Sequence, residues 1–385
     1  MKLSVLQVIP RLDTGGAERT TLDIARAVIA EGGAAHIATA GGRMADEARA
    51  AGASIHLFPA GTKNPFAIWS HAGTLARIVR EAAIGIIHAR SRAPAWSALL
   101  AARRTGTHFV TTYHGIYNEG FPGKRLYNSV MARGDIVIAN SAATARHIGH
   151  VHGVRPPRVV TIPRGTDLAR FDPVAITSAR LDAMRDQFSV AHETPVLLHV
   201  ARLTRWKGQL VAIEALARLK QLWPQLGGGA FPALVFAGDA QGRDDYQREM
   251  ADLAAKSGVA GDIRIAGHVD DIPAALATAR LALAPSIEPE AFGRSAVEAQ
   301  AMGVPVIASR LGAQEDTVID GRTGLLVPPS DATALARAMA TLLKADNAAH
   351  ARFAAAAREN AGHYTLQAMC AATLAVYQGL LESAP

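Results

Sequence analysis

The sequence predicts an α/β protein built on two doubly wound parallel sheets, and three observations predict it. Short apolar runs alternate with longer amphipathic stretches along nearly the whole chain. The alternation breaks once, between Arg164 and Glu193, and then restarts. The length, 385 residues, also exceeds what one hydrophobic core comfortably organises, so two domains are expected. Helical stretches between successive strands imply parallel pairing, with helices covering both faces of each sheet.

The first set of apolar runs is Lys2–Ile9, Ala35–Ala40, Ser54–Pro59, Ile84–Ala89, His108–Tyr113, Ile136–Asn140 and Val159–Ile162, each of strand length. Between the first two lies a helical pattern, Ala17–Glu31, with Leu22, Ala25 and Ile29 on one face. The opening run is read as a strand and not as a signal peptide, because Gln7 interrupts it and Arg11 and Asp13 follow at once. Gly165, Asp167, Asp172 and Pro173 supply turn chemistry at the break, which makes the segment Arg164–Glu193 the candidate boundary. The second set is Pro195–Ala201, Ala233–Gly238, Ile263–Gly267, Leu281–Pro285, Val304–Ser309 and Gly324–Val327. A last helical stretch, Ala361–Leu381, is interrupted by Gly362 and His363. Two such sheets in tandem face a cleft at their carboxyl ends, where sheets of this kind bind ligands.

Composition narrows the function classes. The chain is 49% hydrophobic and 19% charged, which describes a folded globular protein and not a disordered scaffold. A single cysteine, Cys370, rules out an internal disulfide and a thiolate zinc cluster and fits a reducing compartment. No apolar run approaches the roughly 20 residues of a membrane-spanning helix. The net charge is +7, unevenly spread: residues 1–175 hold 21 Lys and Arg against 11 Asp and Glu. This asymmetry predicts that one half meets an anionic surface or substrate, whether nucleic acid, anionic lipid or a phosphorylated acceptor.

The most informative stretch runs from Pro285 to Glu298. A strand ends at Pro285, a Pro- and Gly-bearing loop follows, and a helix starts near Arg294 and stops at Gly303. Free N–H groups and a positive dipole end at such a helix start suit a phosphate. Glu290 in the loop and Glu298 on an early helical turn offer carboxylates to either side of it, and a carboxylate accepts well from vicinal sugar hydroxyls. Taken alone, the two are equally well read as a solvated glutamate and a helix-surface glutamate. In His199–Gly208 a buried strand delivers Arg202 at its carboxyl end and Lys207 just before the next helix, two cations that can neutralise a diphosphate. Surface charges are the bland alternative for this pair. As an exposed cation, Lys207 would matter to turnover far more than to folding.

These residues carry a resemblance. Arg202 with Lys207, Ala237-Gly238-Asp239, Gly267-His268, the Glu290 to Glu298 pair, Glu298–Val306 and Asp320–Leu326 together resemble the retaining glycosyltransferases of family four, whose GT-B fold is two Rossmann-like domains facing a cleft. Gly15–Glu18, His114-Gly115 and Asn140-Ser141 extend the likeness into the first half. The resemblance implies an acceptor-binding domain over residues 1–172, a donor-binding domain over 173–362, and a terminal helix, 363–385, that returns to the first domain. It implies that Glu290 holds hydroxyls of the donor sugar, helped by the backbone of Phe292, Gly293 and Arg294, with Ser295 beside them. Glu298 would hold the ribose, Arg202 and Lys207 the departing diphosphate, and the backbone near His268 and Val269 the base. His114 would meet the transferring sugar or the acceptor. Gly15 and Gly16 would let a tight loop approach through the φ freedom of glycine. Arg164 is a departure, standing where related enzymes often have Asn.

The implied activity is transfer of a hexosyl group from a nucleoside diphosphate to an acceptor hydroxyl with retention of configuration. No metal or other cofactor is expected to be required. The expected partners are the nucleotide sugar and a saccharide or lipid-linked acceptor of lipopolysaccharide, exopolysaccharide or glycolipid synthesis, in the cytoplasm or at the inner face of the plasma membrane. Asn64–Ala83, with Phe66, Trp69, Leu75, Ile78 and Val79 beside Arg77 and Arg80, and Phe121–Arg133, with Lys124, Arg125, Tyr127 and Met131, read either as a face for anionic membrane or as helices facing their own core. Competing readings are a sugar-nucleotide epimerase or phosphorylase on a similar fold, and a non-catalytic binder of nucleotide sugars. A nucleic-acid binder lacks support, because no basic stripe carries interleaved aromatics.

Overall fold

The computed structural model describes residues 3–383 apart from 14, 63, 118, 119, 121 and 228, and without the side chain of residue 122. Lys2 and Phe121, which open two of the expected segments, therefore lie outside the described residues. The chain divides into two compact units, one holding the residues up to Gly165 together with Leu366 onward, the other Thr166–Thr365.

In the first unit the strands are β1 (Ser4–Val8), β2 (Ala34–Thr39), β3 (Ser54–Leu57), β4 (Ile86–Ala89), β5 (His108–Tyr113), β6 (Ile136–Ala139) and β7 (Val159–Thr161). They pair in parallel in the order β3-β2-β1-β4-β5-β6-β7. In the second unit β8 (Val196–Val200), β9 (Ala233–Ala237), β10 (Ile263–Gly267), β11 (Leu281–Ala284), β12 (Val306–Ser309) and β13 (Gly324–Val327) pair in the order β10-β9-β8-β11-β12-β13, again parallel throughout. Both orders reverse at the middle of the sheet, between β1 and β4 and between β8 and β11. That reversal opens a crevice above the strand ends, because the helices leave to opposite faces there.

The apolar runs lack period-two alternation because both faces of each sheet are buried. Val5, Ile86, Val110 and Ile138 pack on one face of the first sheet, while their neighbours Leu6, Ile87, Phe109 and Val137 pack on the other. The second sheet divides likewise, with Leu198, Val235, Ala284 and Val306 on one side and Leu197, Leu234, Leu283 and Ile307 on the other.

The expected boundaries at 172 and 362 differ from those of the two units, for a packing reason. Phe171 is buried with Met184 and Phe188 in the second unit's core, and the Thr166 N–H donates to the Tyr364 carbonyl at 2.8 Å. Residues 166–172 and 363–365 are thereby held in the second unit. The helix Leu366–Glu382 belongs to the first unit, where the Tyr377 hydroxyl lies 2.5 Å from His88 Nδ1 and the other ring nitrogen lies 2.7 Å from Thr112 Oγ1.

Candidate functional site

Three strand ends of the second unit converge on Glu290. After β8 the chain makes a short turn, Arg205–Lys207, and reaches Gly208 with φ +78°. A Cβ there would stand 1.9 Å from the Pro285 carbonyl oxygen, so only glycine lets this turn lie against the loop that follows β11. The Ile287 N–H donates to the Trp206 carbonyl at 2.8 Å, which stitches the two loops together. After β12 the Ala313 N–H donates to the Glu290 carbonyl at 2.9 Å. With its backbone held, Glu290 accepts through Oε1 from Lys207 Nζ at 2.5 Å and from the Ser286 hydroxyl at 2.8 Å. Lys207 Nζ also lies 4.2 Å from the centre of the Trp206 ring.

This geometry corrects one expectation. The Lys207 and Glu290 side chains keep only 17% and 11% of their exposure, so Lys207 is not a surface cation whose loss would spare the fold. Arg202 is different: it is exposed, and no ion pair among the described residues includes it. Its carbonyl accepts from Gln209 Nε2 at 3.0 Å. The structure pairs Lys207 with the carboxylate and leaves the Arg202 guanidinium in solvent.

Beyond the loop, Gly293 adopts φ +77° as the N-cap of the helix Arg294–Ala301, and no side chain caps the first turn. Its leading N–H groups are thus left for a ligand or water. Phe292 is buried and meets Tyr364 edge-on at 5.6 Å, so its side chain anchors the loop. Arg294 and Ser295 are partly exposed, and Arg294 Nε is buried without a hydrogen-bond partner. Glu298 keeps some exposure, yet the dense surroundings push its carboxyl up to about 7, against the opposing pull of Arg294 and Arg170. Val269 turns its side chain into the core, which leaves its backbone as the group on offer. Exposed His268 is engaged with Asp270 Oδ1 at 3.0 Å.

The remaining site residues belong to the first unit. His114 follows β5 and is partly exposed; Arg164 Nη2 lies 2.9 Å from its Nδ1 and 3.4 Å from its carbonyl oxygen. The φ freedom expected of the glycines after β1 is not used. Gly15 has an extended φ of 167°, and Gly16 opens the helix Gly16–Ala30 without a positive φ. A Cβ on Gly15 would meet the Glu18 carboxylate, at 2.3 Å, the far end of a side chain that can swing aside. In the basic segments, Leu75, Ile78, Val79 and Met131 face the core, while Phe66 and Trp69 are 87% and 67% exposed and Leu126 is 61% exposed.

Residue patterns alone missed Ser286, Trp206, Gly208 and Arg164 as parts of these constellations. Gly208 was legible as a turn residue beside Lys207, whereas Ser286 carried no signal. Among the described residues no three His, Cys, Asp or Glu side chains come together as metal ligands.

Two family descriptions match the chain, "Glycosyltransferase Family 4" over residues 14–170 and "Glycosyl transferases group 1" over residues 182–372. A D-inositol 3-phosphate glycosyltransferase of Geodermatophilus obscurus is 32% identical over 66% of this chain and 54% of its own, so the match spans about half the length of that relative. Its namesake in Stackebrandtia nassauensis is 28% identical over 92% of this chain and 84% of its own. Among solved structures, a glycosyltransferase from Rickettsia africae superposes with a TM-score of 0.91 at 32% identity, covering 100% of both chains. Anabaena HepE, solved with UDP and glucose, superposes at 0.84 with 23% identity, covering 98% of this chain and 100% of its own, a likeness of fold.

Proposed function

The chain belongs to glycosyltransferase family 4, and from that premise we propose that it transfers a hexosyl group from a nucleoside diphosphate to an acceptor hydroxyl with retention at the anomeric carbon. The observation that carries this reading is the Lys207–Glu290 pair, held where three strand ends meet beside a helix start without a side-chain cap. A carboxylate already occupied on one oxygen by a lysine and a serine is rigid, and its second oxygen is left to accept from sugar hydroxyls. Lys207 and the leading N–H groups of Arg294–Ala301 supply positive charge for a departing diphosphate, with Arg202 as the mobile cation. Glu298 takes the ribose, and the backbone at His268 and Val269 meets the base. No metal is given a part in the transfer.

The first test is thermal melting with a panel of nucleotide sugars in buffer containing EDTA. One donor is expected to raise the melting temperature by mass action, by the equivalent of about 2.7 kcal/mol at a hundredfold excess over Kd. Sugar transfer with that donor should follow, and a panel without any stabilising member would overturn the reading.

The acceptor is proposed to be a saccharide or lipid-linked glycan of lipopolysaccharide, exopolysaccharide or glycolipid synthesis, met at the inner face of an anionic membrane. Support comes from Phe66 and Trp69, about one helical turn apart and exposed on the helix Pro65–Glu81, with the Arg104 guanidinium 4.8 Å from the Trp69 ring. No helix among the described residues is long and apolar enough to cross a membrane. Flotation with phosphatidylglycerol vesicles should carry the protein upward at low salt, and Phe66→Ser with Trp69→Ser should abolish it. Equal recovery of the double variant would remove the membrane from the proposal.

A further inference from the structure

We infer that Arg164 selects the tautomer of His114 and so makes His114 a hydrogen-bond donor, not a base, in the proposed transfer. The inference rests on the proposed function only for the identity of the ligand that His114 meets. Its geometry lies within the first unit. His114 follows β5, and Arg164 follows β7 two strands away in the same sheet. Arg164 Nη2 stands 2.9 Å from His114 Nδ1 and 3.4 Å from the His114 carbonyl oxygen, so one guanidinium nitrogen meets both the ring and the backbone.

The chemistry follows from what a guanidinium can do. It has five N–H donors and no acceptor, and it stays charged in proteins. At 2.9 Å the Arg164 nitrogen can only donate, so Nδ1 must accept and must keep its lone pair. A neutral imidazole carries one N–H, which is therefore on Nε2. A nitrogen that already bears a proton cannot remove one from an acceptor hydroxyl; it donates to a sugar oxygen instead. The acceptor's proton then needs another destination. As the acceptor oxygen bonds to the anomeric carbon and the carbon–phosphate oxygen bond breaks, the proton passes to an oxygen of the leaving diphosphate.

This gives the departure at position 164 a meaning. An asparagine amide can turn either its NH2 or its carbonyl toward an imidazole, so it leaves the tautomer to other neighbours. Arginine presents donors only, and the choice is made by charge as well as by geometry.

The experiment reads the ring directly. The full chain is labelled with 15N-histidine, two-bond 1H–15N spectra are recorded at pH 7.5, and the His114 signals are assigned as those lost in His114→Asn. Wild type is expected to show Nδ1 unprotonated and Nε2 protonated. Arg164→Lys, also a pure donor, should keep that pattern, and Arg164→Asn should shift both nitrogens toward a mixture of tautomers. In transfer assays kcat should fall roughly tenfold to a hundredfold in Arg164→Asn, with the donor KM little changed, and Arg164→Lys should recover most of the loss. A protonated Nδ1 in wild type, or an unchanged ring in Arg164→Asn, would overturn the inference. If the ring behaves as expected and no donor supports transfer, the proposed function fails and the tautomer assignment stands.

Discussion

Lys207 and Glu290 are one structural object. Both stand out in the sequence, one after a buried strand and one in a Pro-rich loop, but 83 positions separate them and nothing local says that they touch. Each is too buried to be left alone: removing one partner strands the other's charge in poor solvent. Lys207→Ala and Glu290→Leu are each expected to lose donor binding and also roughly 1–3 kcal/mol of stability in urea denaturation. The double variant Lys207→Met with Glu290→Leu should be less destabilised than the two single losses added together, because no unpaired charge remains. Additive losses would show that the pair contributes nothing as a pair. Gly15 teaches the complementary lesson. A glycine in a sequence announces freedom, yet here its φ is an extended value that any residue adopts.

At the level of the element, the helix Arg294–Ala301 begins and ends where its flanking glycines say it should. What the pattern does not record is that its carboxyl sits uncomfortably. Burial raises Glu298 from 4.5 in the unfolded chain to about 7 in the folded one. Between those values the folded state holds a proton that the unfolded state has released, so stability falls as pH rises from about 4.5 to about 7 and stays lower above that. Glu298→Gln is therefore expected to be more stable than wild type at pH 8 by roughly 1–3 kcal/mol and indistinguishable from it near pH 4.5. Melting curves at the two pH values decide it, and a variant destabilised at pH 8 would refute the account. The same variant should bind the nucleotide sugar weakly. Stability given up for binding is what a functional carboxylate shows.

Across the whole molecule, each unit buries one neutral histidine beneath its strand ends. Burial, with Lys207 nearby, holds His199 down at about 3, and burial beside Arg90 and His114 holds His88 well below the usual imidazole range. A histidine depressed in the folded state leaves stability intact above the unfolded value of 6.5 and removes it as pH falls below, by about 1.4 kcal/mol per pH unit. In the second unit Glu298 works in the opposite direction between 7 and 4.5, so the two nearly cancel there. The first unit adds His36 and His56, also lowered by burial, while the second adds His350. Acidification from pH 7 to pH 5 should therefore loosen the first unit before the second. Hydrogen exchange corrected for its intrinsic pH dependence should show lost protection in β1, β4 and β5 while β8 and β11 stay protected, and the reverse order would contradict the balance of charges. In Glu298→Gln both units should loosen together.

The strands, the helices and the family were legible in the sequence because burial on both faces leaves a local trace. An apolar run of five residues records a strand in a covered parallel sheet, whatever its neighbours are. Tertiary structure decided which residues meet. Strand order brings the ends of β8, β11 and β12 together, so that Lys207 reaches Glu290; it sets β7 two places from β5, so that Arg164 reaches His114; and it carries residues 166–172 into the second unit's core. Contacts across 50 or 83 positions depend on how sheets are wound, and a periodic pattern read along the chain contains no record of winding.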